Sequence, residues 1–101
     1  MRIEYLILNL LYRSEAKSKL IAATQQNIVE GLAAEGEKYT SRTIYEHLRK
    51  LLKLEYVKNG IPGANAAYTY YITKAGMNWL KEMETEETET EEVNERSEER
   101  R

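Results

Sequence analysis

The stretch TSRTIYEHLRKLLKLEYVKN, residues 40–59, constrains this chain more than any other. It opens on Thr40 and Ser41, hydroxyl side chains suited to capping a helix start. It then runs with helical period over residues 41–54 and passes, without Gly or Pro, into a short strand-like segment, residues 56–59. On a wheel of about 100° per residue, Leu48, Leu51 and Leu52 fall within about 80° of Ile44. Arg42, Glu46, Arg49, Lys50 and Lys53 fall on the opposite side, with Tyr45 and His47 at the boundary. The helix has one face for a core and a largely cationic back. A charge stripe on an isolated helix is ordinarily a solvated face, so the flanking elements must decide what this one meets.

Upstream, Ile3, Leu6, Ile7, Leu10 and Leu11 predict a first helix over residues 2–13. Tyr5, Leu8 and Tyr12 add a second apolar stripe, and a helix apolar on two sides is buried on both. That second side packs either within the chain or against a second copy. Residues 20–23 read as a short strand. Thr24 is expected to cap a second helix over residues 25–35, with Ile28, Val29 and Leu32 on its apolar face and Gly36 as its stop. Downstream, a Gly/Pro/Asn loop, GIPGANAA, separates residues 56–59 from a second strand ending at Ile72, the pattern of a hairpin with a long loop. Thr73 is expected to cap a fourth helix that puts Gly76, Trp79, Leu80 and Met83 on one face.

The inventory narrows the chemistry. The chain has 101 residues, one His and no Cys. All of its 17 acidic residues are Glu. Intrachain disulfides, thiolate metal sites and triads built on Cys–His or Ser–His–Asp are excluded. No ligand spacing suggests a metal or a cofactor, and an enzyme is not expected. No apolar run approaches the ~20 residues of a membrane span. MRIEYLILNLLYR lacks a signal cleavage pattern, so a cytoplasmic protein is expected. Abundant Glu, Lys and Arg without Cys is also compatible with a thermophile.

The overall charge of −2 hides an asymmetry. Residues 1–83 carry twelve Lys/Arg against eight Glu, a net of +4. Residues 84–101 carry three Arg against nine Glu, a net of −6. A partner meets the local field and not the average. Residues 1–83 are read as one folded domain, and residues 84–101 as an acidic tail with a frayed helical start followed by disorder. The tail serves solubility, competes with DNA for the basic face, or binds a protein partner.

Helix, helix, turn, helix and hairpin, in this order, define an α+β winged helix-turn-helix: a three-helix core, a two-stranded β-hairpin wing and a C-terminal helix. In that arrangement the start of helix 3 approaches major-groove base edges and the wing lies along the flanking backbone. Double-stranded DNA is then the expected partner, and association with the nucleoid or a plasmid the expected location. Ser41, Arg42, Thr43 and Glu46 are placed for base edges, since Arg suits guanine and Glu can accept from cytosine. Arg49, Lys50 and Lys53 are placed for phosphates. Tyr45 is either a groove-wall contact or a packing residue. Lys58, Asn59 and Asn65 belong to the wing. Thr24, Gln25 and Gln26, at the start of helix 2, are placed for a further phosphate. His47 is expected to make one hydrogen bond at the helix boundary, with a pH-sensing role as the lesser reading. Ile3, Tyr5, Leu8, Tyr12, Trp79, Leu80 and Met83 are assigned to core or to a homodimer seam.

SRTIYEHLRKLLKLEYV followed by YYITKAGMNWL resembles the PadR family of winged-helix transcription regulators. The resemblance rests on Ser41, Thr43, Ile44, Tyr45, Leu48, Leu51, Tyr70, Ile72, Thr73 and Gly76. YLILNLLYRSE is similar to that family's first helix, and the likeness covers about residues 3–83. It implies a homodimeric repressor at a near-palindromic operator. Arg42 departs from the family, which often has Gly there, and the C-terminal helix is poorer in apolar residues than the family's dimerising helices. The size is also similar to winged-helix proteins of archaeal plasmids and viruses, which include a partition adaptor that coats DNA. A winged helix turned protein-interaction module is the third reading.

Overall fold

The computed structural model describes residues 2–85. Their order is α1 (Arg2–Arg13), β1 (Ala23–Thr24), α2 (Gln25–Ala34), α3 (Ser41–Lys53), β2 (Val57–Asn59), β3 (Thr69–Ile72) and a helix, α4, over residues 74–85. Residues 84 and 85, expected as the helical start of the acidic tail, belong to α4. The expectations for the rest of the acidic tail, residues 86–101, lie outside the described residues.

The helix starts follow the sequence closely. Thr24 Oγ1 accepts from Asn27 N at 3.0 Å, and Asn27 Oδ1 accepts from Thr24 N at 3.2 Å. Two otherwise unpaired amides are thereby satisfied reciprocally. Thr40, and not Ser41, caps α3 by accepting from Thr43 N at 3.2 Å. Thr73 Oγ1 accepts from Gly76 N at 3.1 Å and donates to Glu55 O at 2.7 Å, so one hydroxyl both caps α4 and ties it to the end of α3.

Helix ends share a device that the sequence disguises. α2 closes through Gly36 at φ 85°, with Glu37 N donating to Leu32 O at 2.9 Å. α1 and α3 close in the same way through Glu15 (φ 65°) and Glu55 (φ 63°). There Ala16 N donates to Leu11 O at 2.9 Å, and Tyr56 N to Leu51 O at 3.0 Å. The bonds satisfy terminal carbonyls, but a side chain in the left-handed region costs about 1–2 kcal/mol that glycine avoids.

The expected hairpin forms between β2 and β3, and β1 joins it as a third strand in the antiparallel order β1-β3-β2. Ala23 pairs with Tyr70 and Thr24 with Thr69, while Val57, Lys58 and Asn59 pair with Ile72, Tyr71 and Tyr70. Of the strand expected over residues 20–23, only Ala23 belongs to β1. Ser18 Oγ accepts from Ile21 N at 3.2 Å and bends the chain, leaving Leu20 81% and Ile21 59% exposed. The wing loop turns tightly at Ala64–Ala66, where Asn65 and Ala66 both have φ 59°.

The core joins Ile7, Leu8 and Leu11 of α1 to Ile28 and Leu32 of α2 and Ile44, Leu48 and Leu51 of α3. Val57, Tyr70 and Ile72 close it from the sheet, and Leu80 from α4. Leu8 and Leu80 were assigned to core or seam. With 0% and 4% exposure they belong to this chain's own core, which removes them from a surface seam. Trp79 lies between Tyr56 (ring centroids 5.8 Å) and Tyr5 (6.5 Å), pinning α4 to α1. Ile3, Tyr5, Trp79 and Met83 stay partly buried, and Tyr12 is exposed.

Candidate nucleic-acid interface

The back of α3 faces solvent. The Arg42 side chain is 87% exposed and, among the described residues, pairs only with Glu46, one turn on, at 3.4 Å. A pair this exposed contributes little and is readily exchanged for another partner. Arg49, Lys50 and Lys53 are also exposed. Gln25 Nε2 donates to Ser41 O at 2.9 Å and also contacts Ser41 Oγ, so the starts of α2 and α3 are held side by side. Thr24, Gln25, Ser41, Arg42 and Thr43 are therefore brought together at two adjacent helix N-termini. Gln26 is turned to its own helix, donating to Glu30 at 2.6 Å.

Beneath this face lies a buried acid that sequence reasoning did not single out. Glu4 is 3% exposed. His47 Nδ1 donates to Glu4 Oε2, and Lys50 Nζ lies 4.0 Å from the same oxygen. Burial works to raise the Glu4 carboxyl, but the hydrogen bond from His47 and the charges of His47 and Lys50 hold it below its ordinary value. The single expected hydrogen bond of His47 is thus a tie between α1 and α3. Glu4 shares a helical stripe with Ile7, Leu8 and Leu11, which is the signal that it faces inward.

The wing contributes unevenly. Asn59 and Tyr70 share the sheet face toward α3. Lys58, paired with Tyr71, lies on the other face because strand side chains alternate. Asn59 also donates to Thr69 O at 3.1 Å, committing one of its amide hydrogens. Asn65 is exposed at the wing turn. Between α3 and the wing is an open cleft of about 380 Å³ lined by Tyr45, Arg49, Leu52, Asn59, Tyr68 and Tyr70. Sequence reasoning missed Tyr68 and Tyr70 as site residues, although their two-residue spacing puts them on one strand face. Tyr45 is 43% and Tyr68 71% exposed, and the Arg49 guanidinium lies 6.0 Å from the Tyr45 ring centre. Burial, then the neighbouring Tyr45 and Tyr68, push the Tyr70 phenol above its ordinary pKa.

Among the described residues no helix is long and apolar enough to cross a membrane, and no group of three or more His, Cys, Asp or Glu is placed to hold a metal ion.

The architecture is that of PadR-like winged-helix proteins. The chain superposes on a PadR-like transcription factor from Bacteroides fragilis with a TM-score of 0.78 at 21% identity, covering 93% of this chain and 87% of that one. It superposes on a PadR family transcription regulator from Clostridium difficile with a TM-score of 0.73 at 16% identity, covering 94% and 97%. Bacillus subtilis PadR in complex with operator DNA matches with a TM-score of 0.63 at 19% identity, over 82% of this chain and 47% of that one. No protein-family model matches the sequence, and no curated protein matches it.

Proposed function

We propose that this chain is a DNA-binding transcription regulator, a homodimeric repressor that sets α3 in the major groove and the wing on the flanking backbone. The observation that carries this reading is the division of α3. Ile44, Leu48 and Leu51 are fully buried, while Arg42, Arg49, Lys50 and Lys53 are exposed on the back. A core helix needs the first face, and a reading helix needs both.

Ser41, Arg42, Thr43 and Glu46 meet base edges, and Arg49, Lys50 and Lys53 meet phosphates. Thr24 and Gln25 add a backbone contact at the start of α2, and Asn65 one at the wing. The two copies meet through Tyr12 and the partly buried Ile3, Tyr5, Trp79 and Met83 around α1 and α4. The fold shared with an operator-bound PadR supports DNA as the partner.

Nuclease footprinting on the DNA flanking the protein's own gene tests this. A dimer should protect one discrete site whose half-sites lie about 10–10.5 bp, or a multiple, apart. Protection that lengthens with protein concentration would contradict a repressor and indicate a protein that spreads along DNA. No protection at any concentration would remove DNA as the partner.

A further inference from the structure

The cleft between α3 and the wing is more than the gap between two DNA-contacting elements. Tyr70 is 2% exposed, and its hydroxyl has no hydrogen-bond partner among the described residues. Yet no buried side-chain polar atom there is left unpaired. The Tyr70 hydroxyl is therefore not sealed off, and the cleft that Tyr70 lines is an opening beside it. A phenol that is buried to its tip and unpartnered there is a donor held ready for something that enters.

What enters is set by the walls. Arg49 supplies a fixed positive charge, and Tyr45 and Tyr68 supply two further hydroxyls beside that of Tyr70. Among the described residues no carboxylate lines the cleft. Hydroxyls with one guanidinium and no acid suit a phosphate oxygen. The exposed rings of Tyr45 and Tyr68 offer flat apolar surface for a sugar, and about 380 Å³ exceeds what a bare phosphate would fill. The cleft also opens at the junction of α3 and wing, where a strand leaving the major groove must pass.

We propose that this cleft is a seat for one sugar–phosphate unit of the DNA backbone, with the phosphate on Arg49 and the hydroxyls of Tyr45, Tyr68 and Tyr70. This rests on the DNA reading above and extends it to Tyr68 and Tyr70. Most of the seat's donors are neutral, so it fixes the register of α3 against the wing while adding only one charge contact. A phosphate ester is the shared chemistry; the duplex backbone is the source, as against a free nucleotide.

The test uses the full chain and a duplex that it protects in footprinting, with each protected phosphate replaced in turn by an uncharged methylphosphonate. Wild-type binding should weaken at one position near the wing. There the replacement should cost Tyr68→Phe and Tyr45→Phe little more, because both changes remove the same contact. On unmodified duplex each Phe variant should bind roughly three- to tenfold more weakly, the loss of one hydrogen bond. Its salt dependence should be unchanged, since a phenol releases no counterion, whereas Arg49→Ala should flatten the slope by about 0.9. If both Phe variants bind like wild type, the seat is overturned while the DNA reading stands. If wild type binds no duplex, both fall. Titration with deoxyadenosine monophosphate separates the sources. Saturable shifts of the tyrosine NMR signals, with no methylphosphonate-sensitive position in the duplex, would assign the cleft to a free nucleotide and overturn the proposal.

Discussion

Gly76 shows how tightly α4 is seated. A Cβ added there would lie 2.3 Å from Tyr56 O and 2.8 Å from Ile72 Cγ1, where ordinary contact begins at 3.4 Å. Gly76→Ala therefore forces α4 back by about 1 Å, against backbone and not against a yielding side-chain end. Two bonds hold the start of α4 in place: Thr73 N donates to Tyr56 O at 3.0 Å and Thr73 Oγ1 to Glu55 O at 2.7 Å. Losing both costs about 2 kcal/mol, and the crowding about 1–3 kcal/mol more. Alanine returns about 1 kcal/mol in helix propensity. The net loss is about 2–4 kcal/mol, and at ~4–8 °C per kcal/mol for a domain this small the midpoint should fall on the order of 15 °C. Thermal and urea unfolding followed by Trp79 fluorescence measures it, and the Trp79 emission should itself shift because its ring packs on Tyr56. A variant within about 0.5 kcal/mol of wild type, near the limit for an ordinary surface change, would refute the close seating of α4 on the turn after α3.

Two further outcomes follow from the buried and strained residues. Glu55→Gly should raise stability by about 1 kcal/mol in urea unfolding, because glycine takes the left-handed conformation of Glu55 without its steric cost; a loss would place the helix end elsewhere. Glu4 has its folded pKa lowered, so its contribution is present above about pH 4.5 and is lost as pH falls through the folded value. Urea unfolding of wild type and Glu4→Gln should differ by about 1.5–3 kcal/mol at pH 7, the range for a hydrogen bond to a charged group. The gap should narrow as pH falls below about 4.5 toward the lowered folded value, and a gap that stays constant through that fall would contradict the tie to His47.

The helices were legible because each apolar stripe and each hydroxyl cap signals locally. Thr24, Thr40 and Thr73 mark the helix starts, and Ile44, Leu48 and Leu51 mark the buried face of α3. β1 was misplaced because two residues are too few to show alternation, and its pairing with β3 is non-local. Glu15 and Glu55 hid two helix ends, since glycine is the usual sign of a left-handed stop. Leu8 and Leu80 stayed between core and seam because a helical wheel cannot say which neighbour covers a stripe. The cationic face of α3 could be read from the sequence. The cleft with Tyr68 and Tyr70 could not, because it exists only once the wing is folded back against α3.

The DNA reading is tested most directly by the salt dependence of duplex binding for wild type, Arg42→Ala/Arg49→Ala and the control Lys74→Ala/Lys81→Ala on α4. The logarithm of affinity should fall linearly with the logarithm of salt, by about 0.9 for each phosphate contact. The α3 variant should bind much more weakly and with a shallower slope, while the α4 variant follows wild type. If the α3 variant binds as well as wild type at every salt concentration, the back of α3 is a solvated face and the protein does not read DNA with it.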